Sequence, residues 1–279
     1  MKLLISTYAH WLLWDDGQVR ILREGHQGPG DFVYYGISWN RHHVFVCEGS
    51  THRKSQVYSY DAQGNYVGKV PFTDLDAPHQ CYWWDGSLYV ANTKRNRVEV
   101  WSRRGVRHIQ WTKTVKDTEH INSIWCDGQR FYVVAHRWRK QPKHVLVFGL
   151  DWKHQRTVEI VEPGEPPGLH NVYVEDGCLY TLARQDVVKH ELRSSAEQRT
   201  RLDFYLRGLA RIPGHFLVGA SENRERKGRA EGDSHFHILD DGLELLETVT
   251  LKDTGGITEI RAIEPMDLAH NGLPCPMEG

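Results

Sequence analysis

Apolar positions along this chain rarely follow the three-and-four spacing of a helix; they alternate with polar ones over short stretches that come in pairs separated by a turn. The clearest pairs are HQCYWWDGSLYVANT from His79, HINSIWCDGQRFYVVAHR from His120 and HNVYVEDGCLYTLAR from His170, each with Asp-Gly near its centre. Asp-Gly supplies the positive backbone angles of a tight hairpin turn. The Asp-Gly pairs begin at Asp85, Asp127 and Asp176, spacings of 42 and 49 residues, which is the length of one four-stranded propeller blade.

Weaker copies extend the series on both sides: YYGISWNRHHVFVCEGS with Asn40 at its turn, and LRGLARIPGHFLVGASE with Pro213-Gly214. Third strands such as QVYSYDAQGN, RVEVWSRRGV, HVLVFGLDWK and HFHILDDGLE, each followed by a fourth, complete five blades. GGITEIRAIEP near the C-terminus reads as a lone innermost strand, while KLLISTYAH, WLLWDDG and VRILREG read as three outer strands without an inner one. Joining them predicts an all-β, six-bladed β-propeller, closed by pairing of N- and C-terminal strands in one blade, which removes exposed sheet edges. Residues 1–279 then form a single domain, with 265–279 as an irregular C-terminal tail.

Composition narrows the function. Thirty-five Lys plus Arg against 36 Asp plus Glu leave no global field to draw the protein to nucleic acid or to an anionic membrane, so a small-molecule substrate is the expected partner. The opening MKLLISTYAHWLLW breaks its apolar run early, at His10 and Asp15, and has no small-residue cleavage site, so it reads as strand. Nothing approaches the ~18 uninterrupted apolar residues of a membrane helix. Five widely spaced cysteines without a CxxC fit reduced thiols and a cytoplasmic location. A phosphate-binding GxxxxGK[ST] loop, a GxSxG elbow and an HExxH helix are all absent.

In a propeller blade the start of the innermost strand and the end of the second strand lie on one face, because the two form an antiparallel hairpin. Inner-strand starts are Tyr35-Gly36, His79, His120, His170, Arg207-Gly208 and Thr258-Glu259; second-strand ends are Glu48, Asn92, His136, Arg184, Glu222 and Ser6-Thr7. Three histidines in consecutive blades suggest a divalent transition metal (Zn, Fe, Cu, Mn or Ni) on His79, His120 and His170, with coordination positions left for water or substrate. His136 joins this set as a residue that orients a ligand. Glu259 is a candidate fourth ligand or general base, and Arg207 or Arg184 would anchor an anionic substrate group in a hydrolysis or elimination.

Two other readings stay open. The histidines would serve only as hydrogen-bonding groups if their directions differ, and His120 stands seven residues before its Asp while His79 and His170 stand six before theirs. Alternatively the propeller is non-catalytic and binds a peptide, a sugar or a protein partner on the same face, using aromatics such as Tyr35, Tyr82, Trp83 and Trp125. His235 and His237 read as packing residues of an outer strand, His42-His43 as a solvated turn, and Glu222 to Asp233 as a mixed-charge loop or lid.

With its blades laid out, the chain resembles the six-bladed propellers of the NHL, gluconolactonase and strictosidine-synthase-like group over essentially its whole length. Within that group it is similar in site logic to the peptidyl-hydroxyglycine amidating lyases, which hold a catalytic zinc with three histidines from different blades. The resemblance implies that role for His79, His120 and His170. Gluconolactonase-like members bind calcium or another divalent ion through Glu, Asn and Asp on the axis; histidines in most matching places imply a softer ion than calcium here.

Overall fold

The computed structural model describes residues 1–24, 33–49, 54–111, 117–136, 143–160, 168–222 and 228–277. They form six separate four-stranded antiparallel sheets arranged as blades. Blade 1 joins the chain ends, with β24 (Ile257–Glu264) innermost and β1 (Lys2–Thr7), β2 (His10–Asp15) and β3 (Gln18–Glu24) outward. Blade 2 is β4 (Val33–Trp39), β5 (Val44–Gly49), β6 (Gln56–Tyr60) and β7 (Tyr66–Lys69); blade 3 is β8 (Pro78–Trp84), β9 (Ser87–Asn92), β10 (Arg97–Ser102) and β11 (Gly105–Ile109). Blade 4 comprises β12 (Ile121–Cys126), β13 (Arg130–Ala135), β14 (Lys143–Gly149) and β15 (His154–Ile160). Blade 5 holds β16 (Leu169–Glu175), β17 (Cys178–Ala183), β18 (Asp186–Glu191) and β19 (Glu197–Arg201), and blade 6 holds β20 (Tyr205–Ile212), β21 (His215–Ser221), β22 (Ser234–Asp240) and β23 (Leu245–Leu251). The expected closure is present, with β1 antiparallel to β24 from Lys2 opposite Glu264 to Thr7 opposite Ile257.

The turns explain the blade spacing. Asp85-Gly86 and Asp176-Gly177 each have positive φ at both positions, the geometry whose twist matches that of paired strands. In blade 4 the turn lies one residue later: Asp127 pairs with Arg130, and its side chain accepts hydrogen bonds from the Gln129 and Arg130 amides. Apolar side chains fill the space between blade faces, through contacts such as Phe45 on Trp83 (5.6 Å, nearly parallel) and Trp125 edge-on to Tyr173 (5.3 Å). Among the described residues no helix is long and apolar enough to cross a membrane, and all five cysteines are unbridged.

The C-terminal segment is more than a loose tail. Asp267, fully buried, accepts hydrogen bonds from the amides of Arg211 and Ala269, and His270 lies 3.9 Å from the Trp39 ring with its Nε2 on Ser38 Oγ. Cys275 and Met277 are buried in the cluster that contains Trp39. The segment therefore packs across the ends of β4, β20 and β24, on the side of the channel opposite the strand starts.

Candidate functional site

Neighbouring inner strands share no sheet, so their axial backbone groups find no ladder partner and must be satisfied by side chains. The chain does this blade by blade. Gln80 Oε1 accepts from Ile124 N (2.7 Å), Ser123 Oγ from Asn171 N (2.9 Å), and Asn171 Oδ1 from Gly208 N (2.9 Å). Glu259, 2% exposed, completes the set by accepting from Gln80 Nε2 (2.8 Å), Asn171 Nδ2 (3.1 Å) and Arg261 Nη2 (3.3 Å).

Every inner strand carries an irregularity near its start that turns residues toward the axis, at Tyr35-Gly36, His79, Asn122, Asn171, Arg207-Gly208 and Thr258. One residue from each of the six places lines a channel cavity of about 20 Å³, room for roughly one water, with Glu259 among its walls. Glycine is required where strands crowd: a Cβ on Gly36 would stand 2.4 Å from Gln80 Cα, and one on Gly208 (φ +81) 2.6 Å from Ile260 N.

Above this floor the side chains form a closed annulus. Ring centroids run Tyr8 to Tyr35 (6.3 Å), Tyr35 to His79 (4.7 Å), His79 to His120 (5.2 Å), His120 to His136 (5.1 Å), His136 to His170 (5.2 Å) and His170 to Tyr205 (5.6 Å). Arg207 closes it, its guanidinium 5.2 Å from the Tyr205 ring and 5.6 Å from the Tyr8 ring.

The hydrogen bonds assign proton positions. His120 Nδ1 lies 2.9 and 3.0 Å from the two Asp117 carboxylate oxygens, so it carries the hydrogen and Nε2 is the basic nitrogen. His136 Nδ1 donates to Leu169 O (3.2 Å). His170 Nδ1 accepts from Asn122 Nδ2 (3.1 Å), which leaves its Nε2–H to donate to Tyr205 Oη (2.9 Å). Burial, then the charge of Arg207 and the neighbouring imidazoles, hold His170 neutral, well below the usual histidine range. Tyr8 Oη accepts from Arg207 Nη1 (2.5 Å) and Arg229 Nη1 (3.0 Å). Burial alone would raise this phenol, but the two guanidiniums outweigh it and lower it.

The structure thus brings His79, His120, His136, His170 and Arg207 together at one mouth, with Glu259 beneath them. The histidines follow one another along the annulus, and among the described residues no three His, Cys, Asp or Glu side chains converge as metal donors. The later turn in blade 4 accounts for part of this. Ile121 faces Ala135 as Pro78 faces Asn92, so Asn122 occupies the place of His79 while His120 precedes the strand with φ +50. Glu259 has its oxygens committed to the brace. Arg184 sits at the rim, its stem over Gly168 near the Tyr205 hydroxyl.

Of the weaker candidates, His235 stacks on Phe204 at 4.4 Å, and His237 bonds Thr248 and Asp203 O, both as packing residues. Within Glu222 to Asp233, residues 223–227 lie outside the described residues; the remainder places Arg229 on Tyr8. Tyr8, Tyr205, Asp117 and Arg229 escaped the sequence reading. For Tyr8 the signal was there: it follows the end of β1 by one residue, as His136 follows the end of β13.

No protein-family model matches the chain, and no curated protein matches its sequence. Among solved structures it is similar to a chain of a nidogen–laminin complex, with TM-score 0.69 and 10% identity over 93% of this chain and 97% of that one. It is also similar to a catalytically inactive virginiamycin B lyase from Staphylococcus aureus with quinupristin, with TM-score 0.52 and 10% identity over 82% of this chain and 72% of that one. At such identity the likeness is one of fold: propeller architecture accompanies a protein complex in one case and a lyase in the other.

Proposed function

We propose that the annulus is the active site of an enzyme that moves protons in an elimination or hydrolysis of a small molecule seated over the channel. The observation that carries this reading is His120: Nδ1–H is fixed on a carboxylate, and Nε2 has no hydrogen-bond partner among the described residues. An imidazole so oriented is arranged to take a proton from a bound molecule and return it. Tyr8, with its oxygen between two guanidiniums, is the second proton-transfer group. Its phenolate is stabilised where a proton must be accepted, and its phenol can donate afterwards. One fold neighbour being a lyase agrees with the elimination branch.

The test is turnover across a panel of small esters, lactones and β-substituted acids, comparing the natural protein with His120→Asn and Tyr8→Phe. Either variant should slow any reaction found by about 10²–10⁴-fold with the melting temperature held. No turnover anywhere in the panel would leave a non-catalytic propeller that seats a peptide, sugar or protein partner on this face.

A divalent metal is the second reading, favoured by the Asp117–His120 contact, an arrangement that also orients metal-ligating histidines. Its donors would be His79, His120 and His170 with His136. As placed, their donor atoms do not converge on one ion, and both nitrogens of His170 are engaged, so the proton transfers proposed for His120 and Tyr8 do not pass through an ion. Elemental mass spectrometry of protein purified without a tag decides: stoichiometric Zn, Fe, Cu, Mn or Ni would require the rings to swing together and would move the reading to a metal-dependent lyase or hydrolase.

A further inference from the structure

Arg207 has no acidic side chain as a partner among the described residues. Elsewhere this fold pairs its sheltered arginines: Arg97 with Asp74 and Glu99, Arg211 with Glu175 and Asp241, Arg261 with Glu259. Arg207 has its Nη1 on the Tyr8 oxygen, while its Nε is buried with no hydrogen-bond partner. Nη2 likewise makes no bond to a described residue. The nearest carboxylate in the cavity, Glu259, is held by Arg261, Gln80 and Asn171. A second guanidinium, Arg229, donates to the same Tyr8 oxygen, so two positive charges meet at this side of the annulus.

We propose that the Nε–Nη2 edge of Arg207 receives the carboxylate of the substrate, so that the molecule processed in the annulus is a small carboxylic acid. The proposal rests on the reading of this site as an active site and adds the substrate class. Nε and Nη2 form the fork that matches two carboxylate oxygens side by side. A phosphate group would need donors for a third oxygen, and the carboxamides beside Arg207 are turned to other acceptors. Asn122 Nδ2 is spent on Leu169 O and His170, while Asn171 Nδ2 and one N–H of Gln80 Nε2 are directed at Glu259. The Glu259 charge beneath the site weighs further against a dianion, and a cavity of about 20 Å³ accepts one oxygen-sized group below the annulus. A carboxylate here would also be neutralised by Arg207 in a way that eases removal of a neighbouring C–H proton, the step an elimination requires.

The experiment is binding of sodium acetate and of sodium phosphate to the full chain, against sodium chloride at equal ionic strength, followed by thermal shift and by saturation-transfer NMR on the acetate methyl. Acetate should bind saturably, and Arg207→Met should weaken it at least about tenfold. If the Met variant does not fold, Arg207→Lys, which keeps the charge without the fork, should weaken it several-fold. His120→Asn should keep acetate binding while slowing turnover, because it removes the proton-transfer group and not the anchor; acetate binding without any turnover by the natural protein therefore strikes the enzyme reading alone, and turnover without acetate binding strikes this one alone. Acetate behaving like chloride, acetate binding unchanged in both Arg207 variants, or phosphate binding without acetate binding would each overturn the carboxylate assignment.

Discussion

Replacing Glu259 by Gln separates a brace from a base. Two carboxylate oxygens serve three side-chain donors, from Gln80, Asn171 and Arg261, at 2.8–3.3 Å. Glutamine has the same shape but turns one oxygen into an NH₂ that faces donors. It also removes the charge opposite Arg261, whose side chain is 4% exposed and whose other acid, Asp267, stands at 3.7 Å. Breaking one side of a buried pair costs about 3–5 kcal/mol, and reorientation of the two carboxamides recovers part of that, so about 3 kcal/mol is expected. For a chain of this size that corresponds to a fall in melting temperature of roughly 6–12 °C. Thermal unfolding by far-ultraviolet circular dichroism measures it. A melting temperature within about 2 °C of the natural protein, together with a collapse of turnover, would refute the reasoning and restore Glu259 as a proton-transfer group.

Tyr8 should titrate below the ordinary tyrosine value of about 10, and the ultraviolet phenolate signal at that step should vanish in Tyr8→Phe and move up in Arg229→Met. The signal stands clear of Tyr34, Tyr60, Tyr82, Tyr132, Tyr173 and Tyr180, all raised chiefly by burial. Gly36→Ala should cost at least about 1–3 kcal/mol in urea unfolding, since the new methyl meets backbone atoms, whereas Gly86→Ala, with open space around it, pays only for positive φ; equal costs would count against the strand crowding. Acid should destabilise the protein. Burial lowers His144, His170, His235, His237 and His270, so below pH ~6.5 the unfolded chain takes up protons that the folded chain refuses, and stability drops as pH falls. Asp267, raised to about 6 by burial, works the other way between ~3.8 and that value, gaining stability on acidification, but it is one group against five. Urea midpoints at pH 7.5 and 5.5 that coincide would sink this account.

Much of the fold was legible because a propeller repeats its turn chemistry, and Asp85-Gly86 and Asp176-Gly177 adopt the angles that Asp-Gly predicts. The strand-start rule found the site mouth for the same reason. It misaligned His120 because Asp127-Gly128 looks like the same turn while the chain uses Asp127 as a capping residue and turns one position later, a choice made by side-chain hydrogen bonds that no dipeptide reveals. Arg229 was hidden for another reason. It reaches Tyr8 from a connection outside the strand pattern, and periodicity carries no information about such a segment. The packing of the C-terminal segment was equally invisible, since it depends on Asp267 and His270 fitting strand ends remote in sequence.

The polar wall of the channel is a poor guide to chemistry when taken whole. Six inner strands without ladder partners on the axis need polar side chains for structural reasons, so Gln80, Ser123, Asn171 and Glu259 would be polar in an inert propeller too. What needs a further explanation is polarity left over after the axial backbone is served. The basic nitrogen of His120 has no hydrogen-bond partner among the described residues, Arg207 carries a buried N–H without one, and Tyr8 binds two cations through one oxygen. An unpaired buried donor costs stability; Arg95 and Arg261 also leave a buried Nε unpaired, but their charges are met by Asp74 and Glu259, whereas Arg207 has no carboxylate among the described residues. Under the proposed function, a molecule arriving from outside would supply the missing acceptor, and these same three residues are the ones placed to act on it.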